Sequence, residues 1–175
     1  MDLNHHLLLK KISAIGKPVV LSTGFSTIKE IEEAIYQIKK ENIKTKIALL
    51  HCISAYPPED KNVNINNIQY LNKYFKLPVG FSDHTIGVAA SLSAISNGAC
   101  IIEKHFTLSK NLPGWDHKIS ATPNELNIIV NEGRRIAEML GKKNRTISSR
   151  EQKFKINMRR SIVIEKFIKK GSVIK

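Results

Sequence analysis

Two short apolar runs in the chain each end in a histidine with an acid close before it. They are Val79-Gly80-Phe81-Ser82-Asp83-His84-Thr85 and Ile101-Ile102-Glu103-Lys104-His105-Phe106-Thr107. Neutral imidazole is a ligand for Zn²⁺, Mn²⁺ or Fe²⁺, and two at corresponding strand ends can share one ion, with water or substrate oxygens completing its shell. No HxxxH or CxxC framework is present to select the metal. The acids beside them, Asp83 and Glu103, have two readings. Either they orient an imidazole or move a proton, or they partner a buried backbone group or lysine. A third polar cluster, Pro113-Gly114-Trp115-Asp116-His117, follows soon after. Its tryptophan either stacks on a sugar ring or covers the core.

These groups can meet only if strands bring them to one edge. Continuous apolar runs predict four such strands: Pro18–Ser22, Ile47–Leu50, Val79–Ser82 and Cys100–Glu103. Each is followed by a helical pattern. Thr27 and Glu30 form a T-x-x-E capping box ahead of Ile28, Ile31, Ala34, Ile35 and Ile38, which share one helical face. Ile65, Ile68, Leu71 and Phe75 mark the second helix, and Ile86–Asn97 with Gly98 the third. Thr122, Pro123 and Glu125 open the fourth, which closes at Gly141. Four strand–helix units with strands buried on both faces imply a parallel α/β sheet. Parallel strands deliver their ends to the same edge. Ser22, Thr23 and Gly24 should therefore converge with His51, Ser54 and Tyr56, with Ser82, Asp83 and His84, and with Glu103 and His105. Hydroxyls, imidazoles and carboxylates together suit an oxygen-rich, anionic or metal-bound substrate. Ser22-Thr23-Gly24 is open between a simple turn and an anion site at a helix N-terminus.

Composition narrows the class. No apolar run approaches the roughly 20 residues that span a bilayer, and no basic-then-apolar leader precedes Leu7-Leu8-Leu9. A cytoplasmic protein without membrane contact is the expectation. Cys52 and Cys100 fall inside apolar runs and read as reduced core thiols. The net charge of +13 is uneven: 12 of the 28 basic residues but only two of the 15 acids lie in residues 142–175. That stretch lacks interleaved aromatics and any nucleic-acid motif, so a solvated connector is favoured over a nucleic-acid surface. Residues 142–160 read as a basic linker without periodicity, and Ser161–Glu165 as a strand.

The motifs taken together resemble the sialic acid synthase family, which includes N-acetylneuraminate, legionaminate and pseudaminate synthases and spore-coat polysaccharide proteins. The resemblance rests on Ser22-Thr23-Gly24 after a strand, Leu50-His51-Cys52 with Tyr56-Pro57 behind it, Phe81-Ser82-Asp83-His84-Thr85, Ile102-Glu103-Lys104-His105-Phe106-Thr107 and Gly114-Trp115-Asp116-His117. It runs from about Leu7 to the end of the chain. It implies the C-terminal half of a (β/α)₈ TIM barrel over residues 1–141, the linker, and the truncated start of an antifreeze-like domain over 161–175.

It also implies an activity: condensation of phosphoenolpyruvate with an N-acetylated aldose such as N-acetylmannosamine, giving a nonulosonic acid and phosphate. By resemblance, His84 and His105 hold a divalent metal, typically Mn²⁺, and Glu103 stands beside the reacting centre with them. Ser22, Tyr56 and Ser82 contact phosphoenolpyruvate, and Asp116 binds sugar hydroxyls. The chain departs from the family at Ser54, often Asn, and at Trp115, commonly Pro. Four βα units cannot close an eight-stranded barrel. The resemblance therefore implies a fragment or split half, docking with a separate N-terminal half or a second copy, with little activity alone. Another metal-dependent barrel lyase and a non-catalytic module using the basic tail are the competing readings.

Overall fold

Capped helices alternate with short β-branched strands in a computed structural model that describes residues 2–173. In chain order the elements are α1 (His6–Ala14), β1 (Val19–Ser22), α2 (Ile28–Glu41), β2 (Ile47–Cys52), α3 (Asn67–Phe75), β3 (Val79–Asp83), α4 (Ala89–Ser96), β4 (Ile102–Lys104), α5 (Pro123–Leu140) and α6 (Ser149–Met158). Two single 3₁₀ turns, Asp60–Asn62 and Asp116–Lys118, lie in the connections. The strands form one sheet in the order β1-β2-β3-β4. Every pairing is parallel, with Leu21 opposite Leu49, Leu50 opposite Gly80 and Ser82 opposite Glu103. Four parallel strands with their crossover helices make a half-barrel.

The helices start where their caps put them. The Thr27 backbone N–H donates to Glu30 Oε2 at 2.7 Å, and the Glu30 N–H donates back to Thr27 Oγ1 at 3.4 Å. Thr122 and Glu125 repeat the same reciprocal box ahead of Pro123. Such a box satisfies two backbone donors that a helix start leaves unpaired. From α2, Ile31, Ala34 and Ile38 are buried at i, i+3 and i+7. They join Leu49, Val79, Phe81 and Ile68 in one core between the sheet and its helices. Each fully buried side chain of this size contributes about 1.5–3 kcal/mol. Gly80 marks where two strands and a side chain crowd together. A Cβ there would lie 2.5 Å from the Ile101 carbonyl oxygen and 2.7 Å from Leu50 Cδ2.

The opposite face of the sheet is covered unevenly: Leu50, Cys52 and Ser82 are buried on it, but the edge strand β1 is open. Val20 is 53% exposed, while its neighbours Val19 and Leu21 are buried. Side chains alternate across a strand, so this is the face that would line a barrel.

Three elements differ from the sequence reading. Helix α1 carries no long amphipathic repeat. It is held by Leu9 in the core, by Ile12 packed against that core, and by Ser13, whose hydroxyl donates to the Ile38 carbonyl at 2.7 Å. The segment 142–160, read as an irregular linker, contains α6. The Ser148–Glu151 capping box starts it, and its interior is rich in good helix formers, which need no apolar stripe. Ser161–Glu165 forms no strand. A strand needs a partner ladder, and residues 142–173 contain no other strand. Two residues of the expected antifreeze-like start, 174 and 175, lie outside the described residues. The chain divides into two compact units, residues 1–141 and 142–175. No helix among the described residues is long and apolar enough to cross a membrane.

Candidate active site

Directly after β3 and β4, the His84 and His105 rings lie with centroids 5.4 Å apart. His84 is buried, and its Nδ1–H donates to the Ile53 carbonyl at 2.9 Å. That bond fixes the tautomer and leaves Nε2 with a free lone pair, the arrangement a metal-binding imidazole needs. His105 is about one-third exposed, and its Nδ1 lies 3.8 Å from Asp116 Oδ2. Two imidazoles sharing one ion, with metal–nitrogen distances of about 2.1 Å, place their centroids roughly 4.5–6 Å apart. The observed separation fits. Among the described residues, no set of three His, Cys, Asp or Glu side chains is grouped to hold an ion alone. Oxygens from water or substrate would have to complete the shell.

A buried ion pair stands behind the two rings. Lys104 Nζ lies 2.9 Å from Asp83 Oδ2, with the two side chains 3% and 0% exposed. Asp83 also accepts from the Thr85 N–H at 2.8 Å and the Ser91 hydroxyl at 2.6 Å, while Lys104 donates to the Thr85 carbonyl at 2.7 Å. Of the two readings open for Asp83, the structure selects the structural one. The pair ties β3 to β4 on the helix side, and each member immediately precedes one of the histidines. It thereby sets their separation.

The inner face gathers the rest. Ser82 donates to Glu103 Oε1 at 2.6 Å across the β3–β4 register. Tyr56, on the turn after β2 with a cis bond to Pro57, has its ring 4.1 Å from His84 and 6.0 Å from His105. Desolvation, and then the negative charge of Cys52, Asp116 and Glu103, push its phenol above the ordinary range. Asp116 begins a 3₁₀ turn that its loop holds in place: the His117 ring donates from Nδ1 to Thr107 Oγ1 at 2.8 Å. Gly114 is required there, at φ 140° and with a Cβ position 3.0 Å from the His117 ring.

Cys52, read as an inert core thiol, sits among these groups. Its Sγ lies 3.9 Å from both Ser54 Oγ and His84 Nδ1. Burial raises its pKa, but His84, Ser22 and Ser82 together outweigh burial and bring the thiol below its usual value. Burial likewise lowers the His84 pKa, and Cys52, the Ile53 carbonyl and Asp83 outweigh it, leaving the imidazole above its usual value. Ser22, opposite Leu50 in the register, lies on the same inner face at the end of β1. The signal was available: Cys52 is in phase with Leu50 and opposite Ser82, hence on the inner face.

Besides Asp83, two further expected members do not join. His51 falls inside β2, which runs two residues longer than the sequence reading. Alternation turns it to the helix side, where Nε2–H donates to the Val63 carbonyl at 2.8 Å and the ring stacks on Phe81. Thr23 is spent on the Leu50 carbonyl at 2.8 Å. Cys100, expected in the core, is exposed, and its Sγ donates to the Val79 carbonyl at 3.3 Å.

Comparison with known proteins gives the arrangement its context. Residues 1–145 match the model of the NeuB family. The chain is 45% identical over 166 residues to an N,N'-diacetyllegionaminic acid synthase of Campylobacter jejuni, covering 94% of this chain and 50% of that protein. It is 32% identical over 174 residues to the N-acetylneuraminate-9-phosphate synthase of Homo sapiens, covering 99% of this chain and 48% of that protein. Among solved structures, an N-acetylneuraminic acid synthetase from Leptospira borgpetersenii superposes with a TM-score of 0.81 at 37% identity, over 91% of this chain and 56% of that one. The chain spans about half the length of the curated relatives it matches. It belongs to the NeuB family.

Proposed function

We propose that this NeuB-family chain forms the metal-binding half of a barrel that condenses phosphoenolpyruvate with an N-acetylated aldose, giving a nonulosonic acid and phosphate. The observation that carries the reading is the pair of strand-end imidazoles 5.4 Å apart, with the Ser82–Glu103 hydrogen bond at the same two strand ends. His84, through Nε2, and His105 hold a divalent ion, Mn²⁺ by family resemblance. Bound there, it supplies Lewis-acid polarisation of the sugar's open-chain aldehyde.

The chain's own residues do the remainder. The hydroxyls of Ser22 and Tyr56 donate to the anionic oxygens of phosphoenolpyruvate, and Ser82, whose one proton goes to Glu103 Oε1 in the free site, turns it to the same anion when phosphoenolpyruvate binds. Glu103 holds the Ser82 hydroxyl in place and stands ready to move a proton beside the reacting carbons. Asp116 accepts hydrogen bonds from the sugar hydroxyls and, facing His105, keeps that ring in line. Carbon 3 of phosphoenolpyruvate attacks the aldehyde carbon, water adds at carbon 2, and phosphate leaves by C–O cleavage.

The inner face is open along the edge strand β1, where Val20 is half exposed, while Leu50, Ser82 and His84 on the same face are buried, and that open edge supports a need for further strands. These come from an N-terminal half of the same family, and a second copy of this chain is the competing cover. The test is phosphate release from phosphoenolpyruvate and N-acetylmannosamine, with and without an added N-terminal half. Release only in the reconstituted pair is expected. No release in the pair, with a range of N-acetylated aldoses, rejects the synthase reading.

A further inference from the structure

A cavity of about 410 Å³ lies between α2 and α3, and none of the residues assigned to the reaction lines it. Its floor is the end of β2, from His51 to Ile53. Phe25, Ile28 and Ile31 form one wall, and Tyr70 and Leu71 the other. The volume falls in the range of small-molecule sites. Phe25 combines two costs. Its ring is 77% exposed, and its backbone holds φ at 61°, the left-handed region that a residue other than glycine enters at a penalty. Tyr70 is half exposed on the facing helix. Two aromatic side chains are thus open to a ligand, one of them held there against its backbone preference.

The polar groups decide what the cavity accepts. Among the described residues, no Lys, Arg, Asp or Glu lines it. Burial, only partly opposed by the Val63 hydrogen bond, lowers the His51 pKa, so that ring is neutral at pH 7. A charged ligand would lose hydration here and meet no opposite charge. The hydroxyls of Thr23, Ser26 and Thr27 are already spent as donors, to the Leu50 carbonyl, the Gly24 carbonyl and Glu30 Oε2. His51, only 4% exposed, donates from Nε2–H to the Val63 carbonyl. Its Nδ1 therefore carries a lone pair, and that atom has no partner among the described residues. The unmet group at the floor is an acceptor, set among apolar walls.

The same floor touches the supports of the active site. The Ile53 carbonyl accepts the His84 Nδ1–H at 2.9 Å, and Cys52 Sγ lies 3.9 Å from that nitrogen. We propose that this cavity is an effector site for a neutral planar ring system carrying one N–H donor, whose occupancy is transmitted to His84 through Cys52 and Ile53. The ring lies against Phe25 and Tyr70, and its N–H donates to His51 Nδ1.

Indole is the probe, and 1-methylindole, nearly the same shape without the donor, is its control. In calorimetry on the full chain indole should bind saturably, and 1-methylindole about tenfold more weakly, because it leaves Nδ1 unpaired. Phe25→Gly removes the ring and frees the left-handed backbone. It should weaken indole by at least about tenfold while the urea midpoint holds or rises. Tyr70→Ala, at a half-exposed position, should weaken indole as well. In NMR spectra, indole should move the His84 ring signals and leave those of His117, in the loop after β4, in place. The proposal is overturned if indole does not bind, binds no better than 1-methylindole, keeps its affinity in either variant, or leaves the His84 signals unmoved. Loss of indole binding on adding an N-terminal half also overturns it, since Phe25 then belongs to that interface. These readouts need neither metal nor turnover, so phosphate release remains a separate test of the synthase reading.

Discussion

The two faces of the four-stranded sheet are built from alternate residues of the same strands, yet they are finished to different degrees. On the helix side, Leu49, Val79, Phe81 and the Asp83–Lys104 pair are almost wholly removed from solvent. On the inner side Leu50 and Ser82 are buried on the central strands, but at the two edge strands Val20 is half exposed and Glu103 reaches solvent with its hydrogen bond to Ser82. Neighbours in sequence therefore serve different ends: Asp83 and Lys104 hold the sheet, while His84 and His105, one residue later, face the site. Stability and chemistry are separated by the strand's period of two.

That separation can be attacked from its structural side first. Lys104→Met leaves Asp83 charged and buried without its cation, and should cost about 3–5 kcal/mol in urea denaturation. The accompanying loss of ion binding should be recovered in Asp83→Asn/Lys104→Met, where no unpaired charge remains. Leu49→Ala, on the same face, should cost about 2–5 kcal/mol. A loss below about 1 kcal/mol in either variant would mean the helix side is not the stabilising one.

The inner side should answer in the opposite sense. His84→Ala and His105→Ala should each lower Mn²⁺ affinity by at least about tenfold in calorimetry. His105→Ala, part exposed, should change stability by less than about 1 kcal/mol, while His84→Ala, which leaves the Ile53 carbonyl unpaired, should cost about 1–3 kcal/mol. Unchanged Mn²⁺ affinity rejects the metal site. Val20→Ser, at the open edge of that face on β1, should change the stability of the isolated chain by no more than about 0.5 kcal/mol. If a covering half is present, the same substitution should weaken its docking.

The smallest effect is one of pH at the helix caps. Lys110, Thr122 and their hydrogen bonds hold the Glu125 carboxyl below its ordinary value of 4.5. A carboxylate depressed in the folded state stabilises above its unfolded pKa, and that contribution is lost as pH falls through the lower folded value. The chain should therefore lose stability below about pH 4.5, and Glu125→Gln should flatten that slope in urea midpoints taken between pH 6 and pH 3. An unaltered slope would show that the cap contributes no charge term.

Much of this was legible in the sequence. Continuous β-branched runs located all four strands, and the T-x-x-E boxes located two helix starts to the residue. Helix α6 was not found, because its residues favour a helix without marking an apolar face. Its Ser148–Glu151 box was the overlooked signal. His51 was placed in the site because β2 was drawn two residues short; as an interior strand residue it obeys the alternation and faces the helix side.

The residue types and their order determined by themselves that hydroxyls, imidazoles and carboxylates would gather at one edge of a parallel sheet. Periodicity and turn chemistry are local properties, and they suffice for strands, caps and the edge at which strands end. Only the tertiary structure decided which members meet. The 5.4 Å between His84 and His105, the retreat of Asp83 behind them, the entry of Cys52 among them and the exposure of Trp115 all depend on how separate strands and loops pack. Such distances between segments remote in sequence follow from packing, and no local pattern encodes them.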